Sequence, residues 1–101
     1  MNRYRVFLIA YEIKGAETKR TVRDYVENPC DSVRISDSAY AVKTQSSDNE
    51  LYDAVESHLS MHGRKLSQED NFFVIQLIKP ATVKVGIRVG SWLDSSLPRN
   101  S

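Results

Sequence analysis

The alternation of apolar and polar residues predicts a strand and then a helix at the start of the chain. Residues 4–13 are rich in β-branched and aromatic side chains and end at Lys14-Gly15, a pattern that is typical of a strand. In residues 16–28 the apolar side chains recur with helical spacing and the charged ones occupy the other faces, which predicts an amphipathic helix that Pro29 ends. Its apolar stripe consists of Thr18, Val22, Tyr25 and Val26.

Three more strands are predicted further along the chain. Residues 32–35 and 39–44 have the composition of strands and flank the turn-forming residues 36–38, so a hairpin is the simplest interpretation. Residues 71–79 are strongly apolar and are stopped by Pro80, which predicts the last long strand.

The clearest helical signal lies between the hairpin and the last long strand. Ser47 and Glu50 form the pattern of a capping box, in which the side chain of each residue accepts a hydrogen bond from the backbone amide of the other. The helix that begins there is expected to end near Gly63, since glycine is suited to a left-handed position after a helix. Its apolar stripe consists of Leu51, Ala54, Val55, His58, Leu59 and His62.

The C-terminal segment is predicted to add a short element to this core. Residues 82–85 are expected to form an edge strand. We therefore expect one domain over residues 1–101, with a core at about 3–80 and a C-terminal extension at about 81–101. A short helical turn in the extension is predicted to cap the core through Val89, Trp92, Leu93 and Leu97.

The order of the predicted elements is that of a ferredoxin-like α+β sandwich, βαββαβ, with a short extra C-terminal element. Right-handed crossovers place both helices of such a fold on the same face of the sheet. The two central strands nevertheless have apolar residues at both alternating sets of positions, so both faces of the sheet are expected to be apolar. In the first strand the two sets are Val6, Leu8 and Ala10, and Phe7, Ile9 and Tyr11.

The face without helices is therefore expected to need a cover. An apolar surface of this size exceeds what soluble monomers usually expose, so a homodimer with a two-fold axis is predicted. The alternative is that the C-terminal tail of the same chain covers this face. The residues assigned to the dimer interface are Tyr4, Val6, Leu8, Tyr11, Tyr40 and Phe73.

Composition and charge exclude several classes of protein. A chain of 101 residues with 41% apolar content suits a single compact domain. The 14 basic residues are nearly balanced by 13 acidic ones, so the molecule lacks the strong positive field of a dedicated nucleic-acid binder.

No segment is apolar enough to span a membrane and the N-terminus has no signal-peptide pattern, which predicts a cytoplasmic protein. Cys30 is the only cysteine, so it cannot form an internal disulfide.

Three segments carry a family resemblance. Residues 4–13 end in an aromatic, an acidic and an aliphatic residue, residues 35–44 place a serine and an aromatic before a valine and a threonine, and residues 70–77 are acidic and then strongly apolar. In this order they resemble the Cas-two-like superfamily of CRISPR-associated proteins, and in particular its SinR-like members. The resemblance implies a ferredoxin-like homodimer, and we interpret the chain as a non-catalytic interaction or scaffold protein without a cofactor.

The resemblance also implies an alternative function, that of a metal-dependent nuclease. In the nuclease members an aspartate ends the first strand and its two copies approach a metal near the dimer axis; the matching residue here is Glu12. Such a carboxylate pair holds Mg or Mn and positions a water for attack on a phosphodiester. The extra methylene of glutamate displaces the carboxylate, and catalytic geometry is intolerant of such shifts, so cleavage is not the favoured interpretation. The related VapD-like toxins cleave RNA, so ribonuclease activity is a further alternative.

A nucleic-acid binder without chemistry is the third class. Five basic residues on the first loop, the first helix and the hairpin are candidates for phosphate contacts, especially when doubled by a dimer. Acidic residues share the same helix, so a solvated surface with ordinary ion pairs is the preferred interpretation. The five candidates are Lys14, Lys19, Arg20, Arg23 and Arg34.

Overall fold

A computed structural model of the chain describes residues 4–28, 31–77 and 87–96. Within these ranges the chain forms four strands and three helices, and the predicted alternation of strands and helices is confirmed. In chain order the elements are β1 (Arg5–Glu12), α1 (Ala16–Glu27), β2 (Asp31–Ser36), β3 (Ala39–Thr44), α2 (Asp48–Met61), β4 (Asn71–Leu77) and α3 (Ile87–Ser96).

The two ends of α2 confirm the local signals in the sequence. The Ser47 hydroxyl accepts a hydrogen bond from the Glu50 amide at 3.2 Å, and the Glu50 carboxylate accepts one from the Ser47 amide at 2.9 Å. This is the predicted capping box. Gly63 follows the helix with a φ of 69°, the left-handed conformation that glycine adopts without strain. Both ends of α2 are therefore set by residues next to it in the chain.

The strands form one antiparallel sheet in the order β2-β3-β1-β4. β1 lies inside the sheet and pairs with β3 on one side and β4 on the other. α1 and α2 each connect two strands that are not neighbours in the sheet. The molecule is thus a small α+β fold in which β2 and β4 are the outermost strands of the sheet that the described residues form.

The main core lies between the sheet and the helices α1 and α2. Phe7, Ile9 and Tyr11 of β1 face into it, as the alternation predicts. The predicted apolar stripes of α1 and α2 form the other side of this core. The buried residues of this core are Phe7, Ile9, Tyr11, Ile13, Val22, Val26, Tyr40, Val42, Leu51, Val55 and Leu59.

A second, smaller core lies on the other face of the sheet, under α3. Val89 and Leu93 of α3 are buried there against a cluster that includes Val6 of β1. The tail, which is predicted to form only a short helical turn, forms a 10-residue helix. Cover by the chain's own tail, the alternative to a dimer, therefore holds for part of this face.

Some predictions concern residues outside the described ranges. These are the edge strand at 82–85, the end of the last long strand after Leu77, the contribution of Leu97, and Cys30. Among the helices that the structure describes, none has the length and apolar character needed to cross a membrane.

Candidate functional site

The helix-free face of the sheet presents residues of β1 and β4 in opposed pairs. Alternate residues of a strand point to the same face, so every second pair of the register lies on this side. The pairs change from apolar to polar along the strands. They are Val6 with Leu77, Leu8 with Ile75, Ala10 with Phe73, and Glu12 with Asn71.

α3 covers one part of this face. Val89 and Leu93 pack against Val6, Val33 and Ala41, which come from three different strands. The partly buried residues at the margin of this cluster are Ile35, Leu77 and Trp92. The cover thus lies over β2, β3 and one end of β1.

The part of the face that α3 leaves uncovered is apolar. Phe73 and Ile75 of β4 are 52% and 51% exposed. Leu8 and Ala10, their neighbours on β1, are half-buried. We call these four residues the open strip. Most of its exposed surface belongs to β4, so the uncovered apolar side chains lie at the edge of the sheet rather than at its centre.

The interface predicted from the sequence omits two residues of the open strip, Ala10 and the more exposed Ile75. The signal for Ile75 is present in the sequence, because the strict alternation in residues 71–77 places Ile75 on the same face as Phe73. The sequence does not reveal that Phe73 and Ile75 stay more exposed than the residues of β1 on this face, because their exposure depends on where α3 lies.

Glu12 lies next to the open strip, two residues beyond Ala10 on β1, where it is exposed and opposite Asn71. The nearby Asp70 carboxylate accepts hydrogen bonds from the backbone amides of Ser67 at 2.9 Å and Lys14 at 3.0 Å. These bonds, first that from Ser67, lower the pKa of Asp70. Among the residues that the structure describes, no group of three or more His, Cys, Asp or Glu side chains is placed to hold a metal ion.

Of the basic residues proposed to hold phosphate, only Lys14, two positions beyond Glu12 in the chain, lies close to it. α1 packs on the opposite face of the sheet from the open strip, so its basic residues are separated from Glu12 by the sheet. Arg34 is in register with Tyr40, whose side chain lies in the main core, so it too belongs to the helix side. The three basic residues on α1 are Lys19, Arg20 and Arg23.

Three of the five basic candidates have carboxylate partners. Such exposed pairs contribute little to stability, but each places a negative charge beside the cation. Within the described part of the chain, Lys19 and Arg20 have no such partner. The pairs are Lys14 with Glu69 at 3.4 Å, Arg23 with Glu27 at 3.6 Å, and Arg34 with Asp37.

Three residues assigned to the dimer interface are buried within the chain. Tyr11 and Tyr40 are 4% and 1% exposed and lie in the main core, because the odd-numbered residues of β1 and their partners on β3 face the helices. Val6 is covered by α3. These three side chains are therefore out of reach of a partner in this fold. The assigned residues that a partner can still reach are Tyr4, Leu8 and Phe73.

The two core tyrosines differ in their hydrogen bonding. The Tyr40 hydroxyl donates to a Glu27 carboxylate oxygen at 2.9 Å. Burial and, second, this hydrogen bond raise the pKa of Tyr40 to about 12. The Tyr11 hydroxyl is buried and has no hydrogen-bond partner within the described residues, and burial is the main cause that raises its pKa. We assign both hydroxyls a structural role because neither is open to a substrate.

Two adjoining open grooves, each of about 410 Å³, lie along α2 and the connector that follows it. Glu56 and Leu66 line both grooves. Arg64 lines the first groove, and its guanidinium group is held by Glu17 at 2.6 Å. The second groove extends to Phe73, so it borders the open strip on β4.

Comparison with known proteins gives this surface no assigned role. No protein-family model matches the chain, and no curated protein or solved structure is significantly similar to it. The resemblance to SinR-like proteins stays a prediction, and a function has to be argued from the surface itself.

Proposed function

We propose that the protein is a non-catalytic, homodimeric interaction module in which the open strips of two copies belong to a shared interface. The observation that carries this proposal is the exposure of Phe73 and Ile75 on a sheet face of which α3 covers only one part. Exposed apolar side chains that adjoin one another are typical of association surfaces. The resemblance to SinR-like proteins, which implies a homodimer, supports the same proposal.

The proposal includes a ferredoxin-like fold. It is supported by the strand order β2-β3-β1-β4, because two split βαβ units interlock in this way when each helix connects strands that are separated by one other strand. Both crossover helices then lie on one face. The other face is left for α3 and for a second copy of the chain.

The exposed area limits how strong a dimer through the open strip alone can be. Burying a large apolar side chain completely stabilises by about 1.5–3 kcal/mol, so half-exposed Phe73 and Ile75 each have about 1 kcal/mol left to contribute. Two copies bring about 4 kcal/mol in total, whereas a micromolar Kd corresponds to about 8 kcal/mol. The open strip therefore indicates where the interface is. Further contacts on the same side of the molecule must supply the rest of the free energy of association.

Replacing Phe73 tests this function directly. We expect the wild-type protein to have twice its chain mass of 11.5 kDa by light scattering, and Phe73→Asp to have the monomer mass with an unchanged circular dichroism spectrum. A charge at this position would have to be buried without a partner in the interface. Met61→Asp is the matched control, since Met61 is 82% exposed on α2, away from the sheet, and this variant should stay dimeric.

A monomeric wild-type protein at every concentration would contradict the proposed function. Equal loss of the dimer in Phe73→Asp and Met61→Asp would also contradict it, because the effect would then come from added charge and not from the open strip.

The second candidate function, metal-dependent nuclease, is favoured by one observation. Glu12 and Asn71 lie on the same face as the open strip, so two sheets that meet face to face about a two-fold axis near Glu12 would bring the two Glu12 carboxylates together. The test is cleavage of RNA and DNA with Mg, with Mn or with a chelator. Metal-dependent cleavage that Glu12→Ala abolishes, and that Glu69→Ala retains, would support the nuclease and contradict a non-catalytic role.

A further inference from the structure

We infer that two copies of the chain join along the outer edges of their β4 strands, so that two four-stranded sheets become one continuous antiparallel sheet. This inference rests on the proposed homodimer and specifies its geometry. It also identifies the further contacts that the open strip requires, which are main-chain hydrogen bonds between the two β4 strands.

The hydrogen bonds of β1 show which way the main-chain groups of the sheet point. The Tyr11 amide donates to the carbonyl oxygen of Ser38 at 2.9 Å, so Tyr11 directs its main-chain groups toward β3. Successive residues of a strand direct these groups to opposite sides. Ala10 therefore directs its groups toward β4, where it exchanges hydrogen bonds with Phe73.

The same alternation on β4 leaves a set of groups without a partner strand. The main-chain N–H and C=O groups of Phe73 point toward β1. Those of Phe72 and Val74, the residues before and after it, therefore point away from β1. No other strand within the described part of the chain pairs with that edge. The residues whose N–H and C=O groups point outward are Phe72, Val74 and Gln76.

The two edges of the sheet differ in how they are protected against pairing. β2 carries Asp31 and Arg34, both exposed, and its register shifts between Arg34 and Ser36. Charges and bulges of this kind prevent edge-to-edge association. β4 has seven residues with no charge, no proline and no register shift, and its exposed side chains include Phe73 and Ile75. The unprotected edge is therefore the one that bears the open strip.

β4 is also complementary to itself. With a two-fold axis at Val74, the outward-facing residues of both strands meet, and Phe72 pairs with Gln76 of the partner subunit. Phe73 then lies opposite Ile75 of the partner subunit, in a pair without hydrogen bonds, where side chains are closest. The half-exposed residues of each copy thus contact those of the other, and no like charges meet across the axis.

This geometry separates the two candidate functions. β1 is the second strand from the axis and Glu12 lies near its end, so strand and residue spacings place the two Glu12 Cα atoms about 25 Å apart. Two carboxylates at that separation cannot bind one metal ion, whose oxygen ligands lie about 2.0–2.6 Å away. A dimer joined at β4 therefore excludes a shared Glu12 site.

A cysteine at the axis tests the inference. Val74→Cys in a Cys30→Ser background places two thiols on residues whose Cα atoms are about 5.5 Å apart across the axis, within the range of a disulfide. Mild oxidation should convert at least about half of this protein to a covalent dimer. Ser57→Cys in the same background is the control, because Ser57 is exposed on α2 and should cross-link only by collision.

A proline at position 76 tests the hydrogen bonds. The backbone N–H of Gln76 points away from β1. Gln76→Pro therefore removes a main-chain hydrogen bond to the second copy and none to β1. We expect this variant to keep its circular dichroism spectrum and to raise the dimer Kd by about tenfold or more. Gln76→Ser is the control that changes the side chain and keeps the amide, and its Kd should be unchanged.

The outcomes separate this inference from the proposed function. Efficient cross-linking at position 74 together with weakening by Gln76→Pro supports pairing along β4. A dimer of the wild-type protein that shows neither effect overturns the β4 geometry and leaves the homodimer standing. A wild-type protein that is monomeric at all concentrations overturns both.

Discussion

Tyr11 and Tyr40 show how two hydroxyls in one core can have opposite effects on stability. Tyr40 donates a hydrogen bond to Glu27, whereas the Tyr11 hydroxyl is buried without a partner among the described residues. A hydrogen bond to a charged group contributes about 1.5–3 kcal/mol, and a buried polar group without one costs about 1–3 kcal/mol. The sequence does not predict this difference, because Glu27 and Tyr40 meet only once α1 packs on β3.

We therefore expect phenylalanine to act differently at the two positions. Tyr40→Phe should lower the free energy of unfolding by about 1–3 kcal/mol, whereas Tyr11→Phe should leave it unchanged or raise it by about 1 kcal/mol. Denaturant unfolding of both variants beside the wild-type protein measures this. Equal losses in the two variants would contradict the hydrogen-bond assignment.

The raised pKa of Tyr40 adds a pH dependence to the same comparison. The pKa of about 12 in the folded protein lies above the ordinary value of 10.0, so folding favours the neutral hydroxyl. The contribution of Tyr40 to the free energy of unfolding is fully present below about pH 10 and is lost as the pH rises toward about 12. The difference in unfolding free energy between wild type and Tyr40→Phe should shrink across that range, and a constant difference would contradict this pKa.

The helices differ in how much of their structure local sequence determines. The capping box at Ser47 and the glycine at position 63 predict both ends of α2. α3 is predicted only as a short turn from the spacing of Val89, Trp92 and Leu93, and yet it extends over 10 residues. A short helix is marginal by itself, so α3 is stabilised by the sheet on which it packs, and this contact is not encoded within the segment.

Truncating a buried side chain of α3 should therefore loosen the helix from the sheet. We expect Leu93→Ala to destabilise the packed helix by about 2–3 kcal/mol, since Leu93 is buried against the sheet. Trp92 is the only tryptophan, so its fluorescence emission should shift to the red as α3 loosens. Ser91→Ala, at an exposed position of α3, is the control and should leave the emission unchanged. An unshifted spectrum in Leu93→Ala would contradict this packing.

For the molecule as a whole, alternation in β1 and β4 correctly predicts a sheet with two apolar faces. It does not predict how the second face is shared between α3 and a partner, because the position of α3 depends on contacts between distant parts of the chain. The division matters for function. α3 covers Val6 and leaves Phe73 and Ile75 exposed, which moves the candidate interface from the centre of the sheet to the β4 edge.

Amide hydrogen exchange at Val74 would show whether two copies share that edge. In a wild-type sample with the dimer mass, we predict that the Val74 amide is as protected as the Phe73 amide, which is bonded to β1 within one chain, and that dilution removes the protection of Val74 alone. Rapid exchange at Val74 in a dimeric sample, with Phe73 still protected, would contradict the pairing of β4 strands.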